Sequence, residues 1–247
     1  MPTVSDAITT PDGICPVKFY TPDDRRGPWP GITMYPDAGG VRPAFHAMAA
    51  RLAGLGYAVL LPDVYYRSGP WAPFDMRTVF DDEIERHRII SMVTAITPEV
   101  MTSDAGTFFD YLKARPETTG ERFGTIGYCM GGLTSLVVAG RVPDRVGAAM
   151  SFHGGGLVGT GPDSPHRLVD RTRAAVYVGA AQNDPAYTQE QSAILDSALN
   201  GAGVEYLIEW YPAAHGFAVA DNPTYDRAAA ERHWQATEAF FAEHSGR

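Results

Sequence analysis

Residues 123–132 read "FGTIGYCMGG", an apolar run that ends in a cysteine framed by glycines, with Gly127, Cys129 and Gly131 spelling G-x-C-x-G. The segment that follows, "MGGLTSLVVAGR" (130–141), has helical spacing. A strand that passes into a helix through a single residue between glycines is the pattern of a nucleophile elbow. Its reactive side chain stands above the sheet on strained backbone, which only small neighbours tolerate. The start of the helix favours a thiolate through its positive end, and the amide of Met130 is free to face a developing oxyanion. A buried structural cysteine at a glycine-rich turn is the alternative reading of the same residues.

Flanking segments extend the pattern. "GITMY" (31–35), "YAVLLP" (57–62), "VGAAMSF" (146–152), "AAVYVGA" (174–180) and "VEYLIEWY" (204–211) are short runs rich in β-branched and aromatic residues. Such runs suit strands buried on both faces. Between and after them, 43–56, 188–203 and 225–244 carry helical spacing, with Pro43 suited to a first turn and glycines near several ends. The alternation predicts a mostly parallel sheet with helices on both faces, in one α/β domain over residues 1–247. "ICPVKFY" (14–20) is expected as an antiparallel edge strand, and residues 63–100 as loops and helices.

An elbow requires an acid and then a histidine, each after a later strand. "VYVGAAQNDPAYT" supplies Asp184 and "IEWYPAAHGFAVADNP" supplies His215, each in the loop past its run. The "HGGG" run at 153–156 lies after the elbow rather than before it, so it reads as a post-strand loop beside a pocket and not as an oxyanion loop. Cys129 stands where G-x-G-x-x-G needs its second glycine, so no dinucleotide cofactor is expected.

Composition narrows the class. The formal net charge is −9, and such a surface disfavours nucleic acid and anionic membrane as partners. No basic-then-apolar leader or membrane-length apolar run occurs, which reads as a cytoplasmic protein. Cys15 and Cys129 are the only cysteines, too few for a disulfide framework and not spaced for a metal, so neither metal nor cofactor is expected. A monomer or small homo-oligomer fits equally well.

Together with "YPDAGGVRPAF" upstream, the segments "GYCMGG", "QNDPAY" and "AAHGFA" resemble the dienelactone hydrolase family, a cysteine-using branch of the α/β-hydrolase fold, over about residues 12–242. The resemblance implies Cys129 as nucleophile, His215 as general base and acid, Asp184 as the group that orients the imidazole, and the amides of Ala38 and Met130 as the oxyanion hole. In the family a glutamate near the nucleophile helps to take the thiol proton when substrate binds. Here Asp37 stands in its place, one methylene shorter, and reads either as that group or as the turn-former of "PDAGG".

Members that act on carboxylated lactones hold the carboxylate with arginines, one of them four residues after the histidine. This chain has Val219 there, and Arg86 is the nearest match to a second arginine, with a solvated helix position as its other reading. Tyr65, Tyr66, Trp71 and Phe74 follow a strand end, where pocket walls form, and are expected to line an apolar pocket with Val219. The function expected is hydrolysis of a small ester or lactone through a thioacyl-enzyme. Its alternatives are a carboxylesterase or thioesterase without lactone preference and a silent binding module of the same fold.

Overall fold

The computed structural model describes residues 2–23 and 26–245. Among them, eight strands form one sheet: β1 (Thr3–Thr10), β2 (Gly13–Tyr20), β3 (Trp29–Tyr35), β4 (Ala58–Pro62), β5 (Thr118–Tyr128), β6 (Val146–Phe152), β7 (Ala175–Asn183) and β8 (Tyr206–Ala214). Their spatial order is β1-β2-β4-β3-β5-β6-β7-β8. The helices are α1 (Pro43–Gly54), α2 (Glu83–Thr94), α3 (Pro98–Ala114), α4 (Met130–Arg141), α5 (Pro165–Leu168), α6 (Gln189–Gly201) and α7 (Arg227–His244). β2 is antiparallel to β1 and β4, and every pairing from β4 through β8 is parallel.

The two-residue period of the central strands splits the core into two layers. In β4, Ala58 and Leu60 join the side that holds Phe108, Phe109 and Leu112 of α3 and Val137 and Val138 of α4. Val59 and Leu61 join the other, with Phe45 and Leu52 of α1 and Trp234 and Phe241 of α7. A sheet covered on both faces explains why these strands read as continuous apolar runs. This is the α/β-hydrolase arrangement that the elbow predicts.

Two expectations need correction. The strand at 14–20 is antiparallel but not at the edge, because β1 pairs along its outer side. β1 has the sequence TVSDAITT and buries only Ile8 fully among its apolar residues, together with Thr10. A solvated edge strand has no apolar run to betray it. The irregular region also ends in a longer helix than 63–100 suggests: α3 starts at Pro98, capped by the Thr97 hydroxyl, and continues to Ala114. No helix among the described residues is long and apolar enough to cross a membrane.

Candidate active site

β5 delivers Cys129 to the C-terminal edge of the sheet with φ 54° and ψ −115°, immediately before the first turn of α4. That backbone is strained for a residue with a Cβ. The glycines show why it persists. A Cβ at Gly127 would lie 1.8 Å from the Gly131 carbonyl oxygen, and one at Gly131 would lie 2.2 Å from the carbonyl oxygen of Tyr35. The first turn of α4 is therefore pressed against both the end of β5 and the end of β3. Cys129 N–H donates to the Phe152 carbonyl at 3.1 Å, which ties the elbow to β6.

Asp184 follows β7 and His215 follows β8, and the fold brings both to the elbow. Asp184 Oδ2 lies 2.7 Å from His215 Nδ1, while its Oδ1 accepts the Ala186 N–H at 2.8 Å. The carboxylate is buried and the imidazole about one-third exposed. Burial opposes a charge on His215, but its bond to Asp184 and the proximity of Cys129, with the charge of each, outweigh it and hold the imidazole up to about 10. Acid and imidazole are thus bonded beside the Cys129 sulfur, and the carboxylate fixes which ring nitrogen is left for other partners.

The loop after β3 packs beside the start of α4 and the loop that follows His215. Gly40 N–H donates to the Asp37 carbonyl at 2.9 Å and Gly39 N–H to Asp37 Oδ1 at 2.8 Å, so Ala38 sits at the crest of a tight turn. The Tyr65 hydroxyl donates to the Ala38 carbonyl at 2.8 Å and also touches Met130 Sδ at 3.7 Å. Met130 begins α4, so its amide has no partner inside the helix. Tyr65 thereby links the Ala38 turn to the first residue of α4.

Residues 16–245 match the model of the dienelactone hydrolase family. The chain belongs to this family. It is 29% identical to a carboxymethylenebutenolidase of Pseudomonas sp. (strain P51) over 83% of its length and 80% of that protein. It is 26% identical to carboxymethylenebutenolidase 1 of Cupriavidus pinatubonensis over 77% of its length and 76% of that protein. Among solved structures, a dienelactone hydrolase-like promiscuous phosphotriesterase from metagenomic libraries superposes over the whole of both chains with a TM-score of 0.81 and 26% identity. This dienelactone hydrolase family member is a hydrolase acting on ester or lactone bonds.

Several expected site residues lie elsewhere. Val219 is wholly buried in the core with Phe217 and Tyr211, so it is no pocket wall, which corrects that expectation. Arg86 sits on α2 and donates to the Phe80 carbonyl at 3.2 Å, with no bond to Cys129, Asp184 or His215. The aromatic cluster is a packed prop more than an open wall: Tyr65 and Phe74 are buried, Trp71 meets Tyr65 edge-on at 5.5 Å and stacks on Phe74 at 5.8 Å, and Trp71 Nε1 donates to Asp63. A groove of about 560 Å³ borders Trp71, Tyr66, Asp63, His46 and Lys18, but none of Cys129, Asp184 and His215 lines it.

His153 is the residue that sequence reasoning undervalued. It opens the "HGGG" run with φ 39°, is 1% exposed, and meets His215 edge-on at 5.3 Å. Burial and the nearby His215 push its imidazole well below the usual range. A neutral ring is thus packed behind the imidazole that carries charge. The next residue is crowded, since a Cβ at Gly154 would meet Ser151 Oγ at 2.4 Å, and the Gly156 N–H reaches toward the Ala186 carbonyl of the acid loop. A histidine and three glycines directly after a buried strand were the available signal.

Proposed function

We propose that this protein is a cysteine hydrolase of small lactones and esters that works through a thioacyl-enzyme. One observation carries the reading: a cysteine on a strained positive-φ elbow shares an imidazole with a buried carboxylate. In this reading Cys129 thiolate attacks the substrate carbonyl carbon, and the electron pair displaced onto oxygen meets the amides of Met130 and Ala38. The tetrahedral intermediate collapses with cleavage of the carbon–oxygen bond, and His215 imidazolium gives its proton to the departing alkoxide. Water then gives a proton to His215 as its oxygen attacks the thioester, and Cys129 leaves as thiolate with the imidazolium restored. Asp184 holds His215 in the tautomer this cycle needs.

The substrate class favoured is a neutral, moderately apolar acyl group. Val219 occupies the position of the family arginine and is enclosed in the core. Arg42, the guanidinium built into this region, is spent on Asp37 and Asp221. The acidic surface adds a long-range preference against anions.

The test is an acid-quenched reaction with a short-chain nitrophenyl ester. Nitrophenol should appear in a burst that matches the enzyme concentration, and the Cys129 peptide should gain the mass of the acyl group. Turnover without burst or adduct would move the nucleophile elsewhere, and no turnover across neutral and carboxylated esters and lactones would favour the binding-module reading.

A further inference from the structure

In the cysteine-hydrolase reading, Asp37 stands where a second proton acceptor for the thiol is expected. Its surroundings argue for a different task. The side chain is 3% exposed and its two oxygens already accept four hydrogen bonds. Oδ1 takes the Gly39 N–H at 2.8 Å and Arg42 Nη1 at 2.5 Å; Oδ2 takes Arg42 Nη2 at 2.9 Å and Asn222 Nδ2 at 3.3 Å. A carboxylate offers about four acceptor sites, so none is left for the Cys129 proton.

The partners of Asp37 define a brace. Arg42 is buried and also grips Asp221, through Nε and Nη2 at 2.8 Å each. Asp221 and Asn222 belong to the loop that follows His215, so one guanidinium ties the Ala38 loop to the histidine loop. Tyr65 holds the other side. Its hydroxyl donates to the Ala38 carbonyl, and burial, with the charges of Asp37 and Cys129, raises it so that it stays a protonated donor. The Ala38–Gly39 peptide is therefore fixed at both ends, its oxygen by Tyr65 and its N–H by Asp37. The preceding peptide carries the Ala38 N–H, and its carbonyl is held by Gly40.

We propose that Asp37 and Tyr65 are positioning residues that hold the Ala38 amide at the reacting carbonyl, and that Asp37 takes no proton from Cys129; the proposal rests on the cysteine-hydrolase reading above. Donors aimed at an oxyanion act only when held in place, and a small displacement removes most of their effect.

Two reactions of the same sulfur separate this role from thiol activation. Acyl transfer passes through an oxyanion. Alkylation by iodoacetamide does not: sulfur forms a bond to the saturated carbon, the carbon–iodine bond breaks and iodide leaves. Tyr65→Phe keeps the ring and its packing, so it should slow the nitrophenyl ester burst by about ten- to a hundredfold with KM within about threefold. Its Cys129 alkylation rate near neutral pH should stay within about twofold of wild type, which also shows an intact elbow. Asp37→Asn should show the same split. Alkylation that falls in step with acylation in Asp37→Asn would make Asp37 a thiol base, and a wild-type burst in Tyr65→Phe would overturn the brace. The Cys129→Ala variant separates the two levels of argument: ester turnover retained there overturns the cysteine reading itself and the brace with it, whereas turnover lost there leaves the Tyr65 and Asp37 results to decide the brace alone.

Discussion

Cys15 and Cys129 are the same residue in two regions of one sheet, and almost everything about them differs. Cys15 sits on β2, wholly buried, with its thiol donating to the Asp63 carbonyl. Burial, together with the charges of Asp104 and Asp63, pushes that thiol up, away from the reactive thiolate. Cys129 stands half-buried at a strand end on positive-φ backbone, beside an imidazole held in its charged form. The surroundings of a thiol are therefore set by its strand position and neighbours. Along β2 the ladder keeps the side chain in the core, whereas the elbow turns it out toward the loops.

The largest effect that sharpens this contrast is on turnover. Cys129→Ala should lower ester hydrolysis by at least about a thousandfold, while Cys15→Ala should stay within about twofold, both read in steady-state assays with circular dichroism as the check on folding. Comparable losses in the two variants would erase the distinction. Next comes alkylation mapped by mass spectrometry. Native Cys129 should react with iodoacetamide at least about a hundredfold faster than Cys15, and the ratio should fall to near unity in denaturant. A native ratio near one would mean that the imidazole does nothing for the sulfur.

Substrate charge should give a smaller effect. Within pairs of esters or lactones that differ only in a carboxylate, kcat/KM for the carboxylated member should exceed the neutral one by no more than about tenfold, and more often fall below it. A hundredfold preference for the carboxylated member would reveal a cation that serves the Cys129 site.

The pH dependence of stability distinguishes the two regions again, because the imidazole of His215 neighbours Cys129 and is shifted by it. His215 is held up to about 10, above the ~6.5 of an unfolded histidine, so its contribution is complete below about pH 6.5 and is lost as pH rises toward 10. His233, buried between the Tyr128 hydroxyl and the Ala230 carbonyl, is pushed down to about 3 by burial, and His153 is depressed for the same reason. Both are neutral in the fold, so stability falls as pH drops below about 6.5, where the unfolded chain takes up protons. The melting temperature should therefore pass through a maximum near pH 6.5. In Cys129→Ala the alkaline limb should flatten and the acid limb persist. An alkaline limb unchanged by the loss of the thiol would disconnect His215 from Cys129.

How much of this was legible depended on whether the information was local. The elbow shows in ten residues because its constraint is local: positive φ at Cys129 demands Gly127 and Gly131, whose Cβ atoms would strike backbone. Asp184 and His215 show because each follows an apolar strand in the order that a parallel sheet imposes. β1 escaped notice because an exposed edge strand has no apolar pattern to display. Distance along the chain from other landmarks puts Val219 and Tyr65 at a pocket, but which way a loop side chain points is set by what packs against it. For Val219 that was the aromatic layer under α7.

The sequence by itself therefore determined the alternation of strands and helices, the elbow, and the order of thiol, acid and histidine, since each rests on contacts between near neighbours or on strand ends. Only the tertiary structure decided what Asp37 does. Its partners Arg42 and Asn222 come from different loops, and the Arg42 guanidinium reaches from the turn after β3 to Asp221 beyond β8. The ion-pair partner of the carboxylate in "PDAGG" lies only five residues on, at Arg42, but the residues that lock the pair in place, Asp221 and Asn222, lie 179 residues from Arg42 and 185 from Asp37 and meet it only on folding. Once they meet inside a buried site, desolvation leaves that carboxylate little choice of partner.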